Sequence, residues 1–238
     1  MKNFYSSLIT IVTLCSFIGQ QPIASNHSIN MNPHDTTTLH YLALGDSYTI
    51  GEMVPADQSY PNQVAALLTK KWLHINAPTI IAKTGWRTDE LIHGIESANL
   101  TQKFDIVTLL IGVNNQYQNK DTAIYRAEFV QLLKTSIVFA KDNKHHVFVL
   151  SIPDWGVTPF ANGRNLEKIA AEIDAYNRIN KEESKKAGVN YINITSFYRD
   201  MGDDPAYLAS DKLHPSGKMY EKWAKLLANA IEGQLKKE

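Results

Sequence analysis

Two widely separated blocks of this sequence carry the residue types that acyl transfer requires. A serine follows a strand-like segment in Gly45-Asp46-Ser47, and a histidine lies far downstream, three residues after Asp211. Acyl transfer needs a nucleophile, a base that accepts its proton, and an acid that orients the base. Ser47, His214 and Asp211 fit these three roles if the Asp211–His214 segment turns so that the carboxylate reaches the imidazole Nδ1.

Two further positions could stabilise the negative charge that develops on a carbonyl oxygen. Gly85 follows the second strand-like segment, and Asn114 follows the third. The backbone N–H groups of Ser47 and Gly85 and the side-chain amide of Asn114 would form an oxyanion hole if they faced one crevice. Glycine leaves the main chain open to an approaching oxyanion, and the amide donates a hydrogen bond without titrating.

Each of these blocks also fits a simple structural role. Gly45-Asp46-Ser47 could be a turn or a helix cap, and Gly112-Val113-Asn114 could be a tight turn. Asp211 and His214 precede Pro215, which suits the first turn of a helix. We expect Asp46 to accept hydrogen bonds from nearby backbone N–H groups and to set the turn. The occurrence of all the parts together favours a catalytic site.

The segments between these blocks alternate between strand and helix patterns. The run Asp105–Ile111 is continuously apolar, which is typical of a parallel strand buried on both faces. The pattern predicts an α/β fold, a three-layer α/β/α arrangement with a five-stranded, doubly wound, flavodoxin-like parallel sheet and a ligand crevice at the carboxyl ends of the strands. Strands are predicted at 39–44, 77–82, 105–111, 146–152 and 189–194, and helices at 61–72, from a Thr88 cap onward, at 123–140, at 163–187 with Gly188 as C-cap, and around 220–231.

The composition and the N-terminus suggest an exported globular protein. Lys plus Arg and Asp plus Glu number 24 each in 238 residues, which argues against nucleic-acid binding. Residues 1–25 are predicted to be a signal peptide, 26–38 a flexible segment and 39–238 the folded domain, with no stable membrane span in the mature chain. The protein would be secreted or periplasmic. Lipidation at Cys15 is a less favoured alternative, because Leu14 is bulky. Nothing in the sequence indicates an oligomeric state.

In order and context, the four blocks resemble those of the SGNH, or GDSL-like, hydrolases. The resemblance covers residues 39–235 and implies the SGNH hydrolase fold and a metal-free, cofactor-free esterase or lipase. It also implies a triad of Ser47, Asp211 and His214 and an oxyanion hole of Ser47, Gly85 and Asn114. The family commonly has aspartate after the block asparagine, whereas this chain has Asn115. We expect that difference to affect local hydrogen bonding rather than activity.

The sequence therefore predicts a serine ester hydrolase that cleaves small-molecule or glycan esters of acyl or acetyl groups through an acyl-enzyme. Two alternatives remain, a non-catalytic glycan- or lipid-binding module on the same scaffold and an acyltransferase. Trp86, Tyr117 and Trp155 follow predicted strand ends and could line a substrate pocket, although loop packing would also explain them. No metal is expected, because the adjacent pair His145-His146 would point to opposite faces of a strand and no His-Glu-x-x-His motif occurs.

Overall fold

A five-stranded, entirely parallel sheet lies at the centre of the fold, in the strand order β2-β1-β3-β4-β5. This confirms the predicted α/β class and the flavodoxin-like strand order. All five strands are shorter than predicted; for example, residues 144–146 form a 3-10 turn before β4 and residues 77–78 precede β2. The strands are β1 (Tyr41–Gly45), β2 (Thr79–Ala82), β3 (Ile106–Leu110), β4 (Val147–Leu150) and β5 (Asn190–Ile192).

The computed structural model describes Met1, residues 38–71 and residues 73–237. Nearly all of the predicted signal peptide, 1–25, and of the predicted flexible segment, 26–38, lies outside the described residues. Within the described ranges, no helix is long and apolar enough to cross a membrane.

The helices are of two kinds, long ones between strands and short ones at strand ends. Those between strands or after the sheet are α2 (Tyr60–Lys70), α3 (Thr88–Ala98), α5 (Thr122–Phe139), α6 (Leu166–Ala187) and α8 (Gly217–Leu235). The short ones are α1 (Ser47–Ile50), α4 (Val113–Tyr117) and α7 (Thr195–Met201). Helix α2 packs against α8, while α3, α5 and α6 form a second row. Because right-handed crossovers in opposite directions along a sheet place helices on opposite faces, the two groups cover the two faces.

Two predictions about helix ends have different outcomes. Gly188 is the C-cap of α6, as predicted, and adopts the left-handed conformation with φ of 74°. The prediction that Thr88 caps α3 is wrong. Arg87 is the N-cap and Thr88 is the first helical residue, because the Glu90 carboxylate accepts the Arg87 N–H at 2.9 Å. The Thr88 hydroxyl instead donates to Glu128 on α5.

The core places buried strands next to the crevice. All five residues of β1 and of β3 are buried, as are the four residues of β4. A cluster of buried aromatic rings lies against α1 and α8. Tyr48 of α1 packs on Tyr198 and Trp223, with ring centroids 6.2 Å and 6.4 Å away. The short helix that begins with Ser47 is thereby anchored in the core by its second residue.

Candidate active site

Ser47 is the first residue of α1, which follows β1 after a single intervening residue. Asp46 caps this helix, since its Oδ1 accepts the Tyr48 N–H at 3.0 Å. Glycine is required at 45, because a Cβ there would lie 2.1 Å from Thr49 Oγ1 and would block the chain from turning back over the strand. As the first helical residue, Ser47 has a backbone N–H with no acceptor inside α1. The strand end thus presents both the hydroxyl and the N–H of Ser47.

His214 reaches Ser47 from the loop before α8. Its Nε2 lies 2.9 Å from Ser47 Oγ, and its Nδ1 lies 2.5 Å from Asp211 Oδ2. The loop is held in place partly by the Ala209 N–H, which donates to the His214 carbonyl at 2.8 Å. The Tyr48 ring packs beside the imidazole, with centroids 5.1 Å apart. The structure therefore brings together the three residues predicted for the triad.

Asp211 uses both carboxylate oxygens to hold the histidine. Its Oδ1 accepts the backbone N–H groups of Leu213 and His214, each at 3.0 Å, while Oδ2 faces the ring. Burial acts to raise the pKa of Asp211, but the hydrogen bonds from the imidazole and the two N–H groups outweigh it and hold the pKa below its ordinary value. An ionised Asp211 can only accept, so Nδ1 carries a hydrogen toward the carboxylate, and Nε2 is the ring nitrogen that faces the Ser47 hydroxyl.

The two other predicted oxyanion donors lie beyond the ends of β2 and β3. Gly85 has φ of +82°, and apart from its chain neighbours no heavy atom lies within 4 Å of the position that a Cβ would occupy. Glycine is therefore favoured by backbone conformation rather than by crowding. The Asn114 Nδ2 donates to the Trp86 carbonyl at 3.0 Å and lies 3.4 Å from Asp46 Oδ2. Asn114 thus contacts the residue after Gly85 and the residue before Ser47, and its oxyanion role stays a prediction.

Asp46 is more deeply buried than the sequence indicated. The expected role in the turn is present, since Asp46 accepts the Tyr48 N–H, but the side chain is only 1% exposed and also faces Asn114. Burial raises the pKa of Asp46 to about 7, although the hydrogen bond from Tyr48 opposes this. The one signal in the sequence was its position directly after a fully buried strand.

The unusual Asn115 has a clear structural reason. Its Oδ1 accepts the Thr88 N–H at 3.1 Å, and its Nδ2 donates to Thr88 Oγ1 at 2.7 Å. Because the Thr88 hydroxyl gives its own hydrogen to Glu128, Thr88 Oγ1 needs a donor that an ionised aspartate could not supply. Asparagine at 115 therefore ties α4 to the start of α3. The expectation of an effect on local hydrogen bonding agrees with this contact.

The three aromatic residues predicted for a substrate pocket lie in different surroundings. The Trp86 ring packs on α3, where a Cβ on Gly94 would come within 2.2 Å of it. Trp155 is 4% exposed and donates through Nε1 to Gln116 Oε1 at 2.7 Å. Tyr117 is 42% exposed and meets the Trp155 ring edge-on at 5.3 Å. Only Tyr117 offers a large exposed surface, and the pocket role of all three stays a prediction.

The histidines and carboxylates outside the triad do not gather into a metal site in the described part of the chain. Within residues 38–71 and 73–237, no cluster of three His, Cys, Asp or Glu side chains is arranged to hold a metal ion. His145 and His146 lie in the 3-10 turn before β4 rather than in the strand.

Comparison with known proteins places this geometry in context. The chain is 25% identical over 220 residues to the spore germination lipase LipC of Bacillus licheniformis, covering 83% of this chain and 99% of the relative. Among solved structures, a psychrotrophic esterase of a Pseudoalteromonas species, inhibited by monoethylphosphonate, superposes with a TM-score of 0.64 at 13% identity and coverages of 84% and 98%. An acetylxylan esterase of Geobacillus stearothermophilus gives a TM-score of 0.63 at 20% identity, with coverages of 81% and 94%.

The two structural likenesses, below 25% identity, concern the fold alone. The family assignment comes from the sequence, because the profile of the GDSL-like lipase/acylhydrolase family matches residues 43–222, from β1 into α8. This confirms the resemblance drawn from the four blocks. The chain therefore belongs to the GDSL-like lipase/acylhydrolase family and is, by class of reaction, a carboxylic ester hydrolase.

Proposed function

We propose that this chain is an exported serine esterase that cleaves acyl or acetyl esters through an acyl-enzyme on Ser47. One observation carries the proposal. The His214 imidazole lies between Ser47 Oγ, at 2.9 Å from Nε2, and the Asp211 carboxylate, at 2.5 Å from Nδ1. These are hydrogen-bond distances suited to a nucleophile, its base and the group that orients the base.

Acylation begins when Ser47 Oγ attacks the ester carbonyl and passes its proton to His214 Nε2. The imidazolium that forms is stabilised by the ionised Asp211, which remains a carboxylate throughout. The carbonyl oxygen becomes an oxyanion, and the N–H groups of Ser47 and Gly85 together with the Asn114 amide are the donors we assign to it. Of the two Asn114 contacts, the 3.4 Å approach to Asp46 is the weaker, so we expect that amide hydrogen to turn to the oxyanion.

The same groups complete acylation and then carry out deacylation. His214 Nε2 gives its proton to the leaving alcohol, which breaks the ester bond and leaves the acyl group on Ser47. In deacylation a water molecule gives a proton to His214 and attacks the acyl carbonyl. The second oxyanion then collapses, the bond between the acyl carbon and Ser47 Oγ breaks, and His214 returns the proton to Ser47 Oγ as the acid leaves. Family membership favours this hydrolytic route over the non-catalytic binding module. An acyltransferase would differ only in the acceptor, an alcohol in place of water.

Export is proposed from the sequence of residues 1–25, with its apolar run after Lys2 and small residues at Ala24-Ser25. The mass of the mature chain recovered from its host tests this. We expect a chain that begins near residue 26, whereas an intact N-terminus in the cytoplasmic fraction would contradict export, and a lipid on Cys15 would support the lipoprotein alternative.

The catalytic proposal is tested by Ser47→Ala with a neutral ester such as p-nitrophenyl acetate. We expect loss of turnover, since the variant lacks the hydroxyl that attacks the ester carbonyl, while the thermal unfolding temperature stays close to that of the wild type. Ser97→Ala, at an exposed position of α3, is the matched control and should keep full activity. Undiminished turnover by purified Ser47→Ala protein would remove Ser47 from the mechanism.

A further inference from the structure

One arginine is held in place by aromatic rings rather than by carboxylates. The guanidinium of Arg164 lies over three rings, with distances from Cζ to the ring centroid of 5.2 Å for Tyr117, 5.3 Å for Trp155 and 5.6 Å for Phe160. Its Nη2 also donates to the Tyr117 hydroxyl at 3.0 Å. The rings pack against one another edge-on, so Arg164 rests on a preformed surface. We call these three rings the aromatic cluster.

The aromatic cluster connects two parts of the proposed active site. Tyr117 is the last residue of α4, one helical turn after Asn114. On the other side, the Phe160 N–H donates to the carbonyl of Lys212, which lies two residues before His214. The cluster therefore spans from the helix of the predicted oxyanion donor to the loop of the histidine. Arg164 is exposed and lies over this cluster, between the helix of Asn114 and the loop of His214.

The charge of Arg164 is not paired with a carboxylate within the described part of the fold. Arg87, Arg126 and Arg199 each pair with two carboxylates. Among residues 38–71 and 73–237, by contrast, no carboxylate lies within ion-pair distance of Arg164. A guanidinium has five N–H donors, so the bond to the Tyr117 hydroxyl leaves most of them available. The exposed Lys212 places a second cationic side chain on the same loop system.

We propose that Arg164 is a specificity-determining residue that binds an anionic group, a carboxylate or a phosphate, on the alcohol portion of the ester. The inference rests on the proposed function, because it names a substrate class for the same site. The guanidinium fork can donate to two oxygens of such a group at once, and stacking on the rings fixes its plane before the substrate arrives. An acetyl group carries no anionic group, so for acetyl esters the anion that binds Arg164 belongs to the alcohol.

The test compares the kcat/KM of matched anionic and neutral esters. 4-Acetoxybenzoate against 4-acetoxybenzamide examines a carboxylate, and 1-acetylglycerol 3-phosphate against 1-acetylglycerol examines a phosphate. Arg164→Gln should lower the anionic-to-neutral ratio about fivefold to tenfold for at least one pair, and Arg164→Lys should lower it less, because it keeps the charge but loses the fork. The pair that responds identifies the anion.

Arg178→Gln is the matched control, because it removes one positive charge from an exposed position of α6. Its ratio should stay within about twofold of the wild type. An unchanged ratio in Arg164→Gln for both pairs would overturn the proposal, as would an equal decrease in Arg178→Gln, which would indicate a general field. The wild type provides a further test, because its anionic-to-neutral ratio of kcat/KM should fall as the NaCl concentration is raised and the attraction to the guanidinium is screened.

Failure of this proposal is separate from failure of the proposed function. If Ser47 is not the nucleophile, Ser47→Ala will still hydrolyse the neutral esters. If only the role of Arg164 is wrong, Ser47→Ala will be inactive with every ester, and the anionic-to-neutral ratio of kcat/KM will be the same in Arg164→Gln as in the wild type.

Discussion

The neighbouring asparagines Asn114 and Asn115 provide a sharp test of the site, because their side chains serve different purposes. The Asn114 amide lies between the Trp86 carbonyl and Asp46, whereas the Asn115 side chain makes its hydrogen bonds to Thr88 at the start of α3. We therefore expect alanine at 114 to affect catalysis strongly and stability weakly. Alanine at 115 should do the opposite.

The expected changes in stability and kcat for Asn114→Ala follow from the contacts of its side chain. The variant loses one well-formed hydrogen bond, to the Trp86 carbonyl at 3.0 Å, which should lower the free energy of unfolding by about 1 kcal/mol. Loss of an oxyanion donor should lower kcat by about 10²–10³, which corresponds to roughly 3–4 kcal/mol of transition-state stabilisation. The KM for a small neutral ester should change little, because the donor acts mainly on the charge that forms during reaction.

For Asn115→Ala the burial of the side chain decides the outcome. Asn115 is 2% exposed, and its removal leaves the buried Thr88 N–H without its acceptor and Thr88 Oγ1 without its donor. We expect the free energy of unfolding to fall by about 2–4 kcal/mol. The value of kcat should remain within about tenfold of the wild type, because the Asn115 side chain bonds to Thr88 and not to a residue assigned to the triad or the oxyanion hole.

The assay measures kcat with p-nitrophenyl acetate and urea unfolding for both variants at one temperature. Activities are compared where each protein is fully folded, as shown by its unfolding curve. A loss of kcat in Asn115→Ala as large as that in Asn114→Ala would contradict the separate roles of the two side chains. A kcat for Asn114→Ala within threefold of the wild type would contradict its role as an oxyanion donor.

Two further substitutions test the backbone and the buried acid. Gly85 and Gly163 both have φ near +80° and open space at the Cβ position, so Gly85→Ala and Gly163→Ala should each lower the free energy of unfolding by about 1 kcal/mol. Only Gly85→Ala should lower kcat for a neutral ester, by more than tenfold. Equal kcat values for the two variants would contradict the role of the Gly85 N–H. The pKa of Asp46 is raised from 3.8 to about 7, so the folded state keeps a proton that the unfolded state loses, and stability should fall by up to about 4 kcal/mol as pH rises from about 4 to about 7. Asp46→Asn cannot ionise and should flatten that slope in urea unfolding at pH 4.5 and 7.5, and an unchanged slope would show that the effect has another source.

The sheet could be predicted because its central strands are continuous runs of apolar residues. β1, β3 and β4 are fully buried, and continuous apolar runs are what burial on both faces requires. Helices of 11 residues or more show the helical repeat, but α1, α4 and α7 have four, five and seven residues, too few for a repeat to be seen. The cap of α3 was missed because threonine is a common cap, whereas here Glu90 fixes the start at Arg87 through its side chain.

At the site, residue types and their order in the sequence predicted Ser47, His214 and Asp211. They did not predict which contacts hold the residues around the triad in place. The burial of Asp46 and its contact with Asn114, 68 positions away, depend on the packing of β1 beside β3. The position of Arg164 depends on Tyr117, 47 positions earlier in the sequence. Contacts of this kind join side chains across the fold and leave no periodic signal in one sequence.

The central claim is that Ser47 is the nucleophile activated by His214, and covalent labelling tests it most directly. Protein treated with a fluorophosphonate is digested, and the modified peptide is identified by mass spectrometry. We predict one equivalent of adduct on Ser47, loss of esterase activity in proportion to labelling, and much slower labelling in His214→Ala. An adduct on a different residue, or full esterase activity after complete labelling of Ser47, would contradict the account.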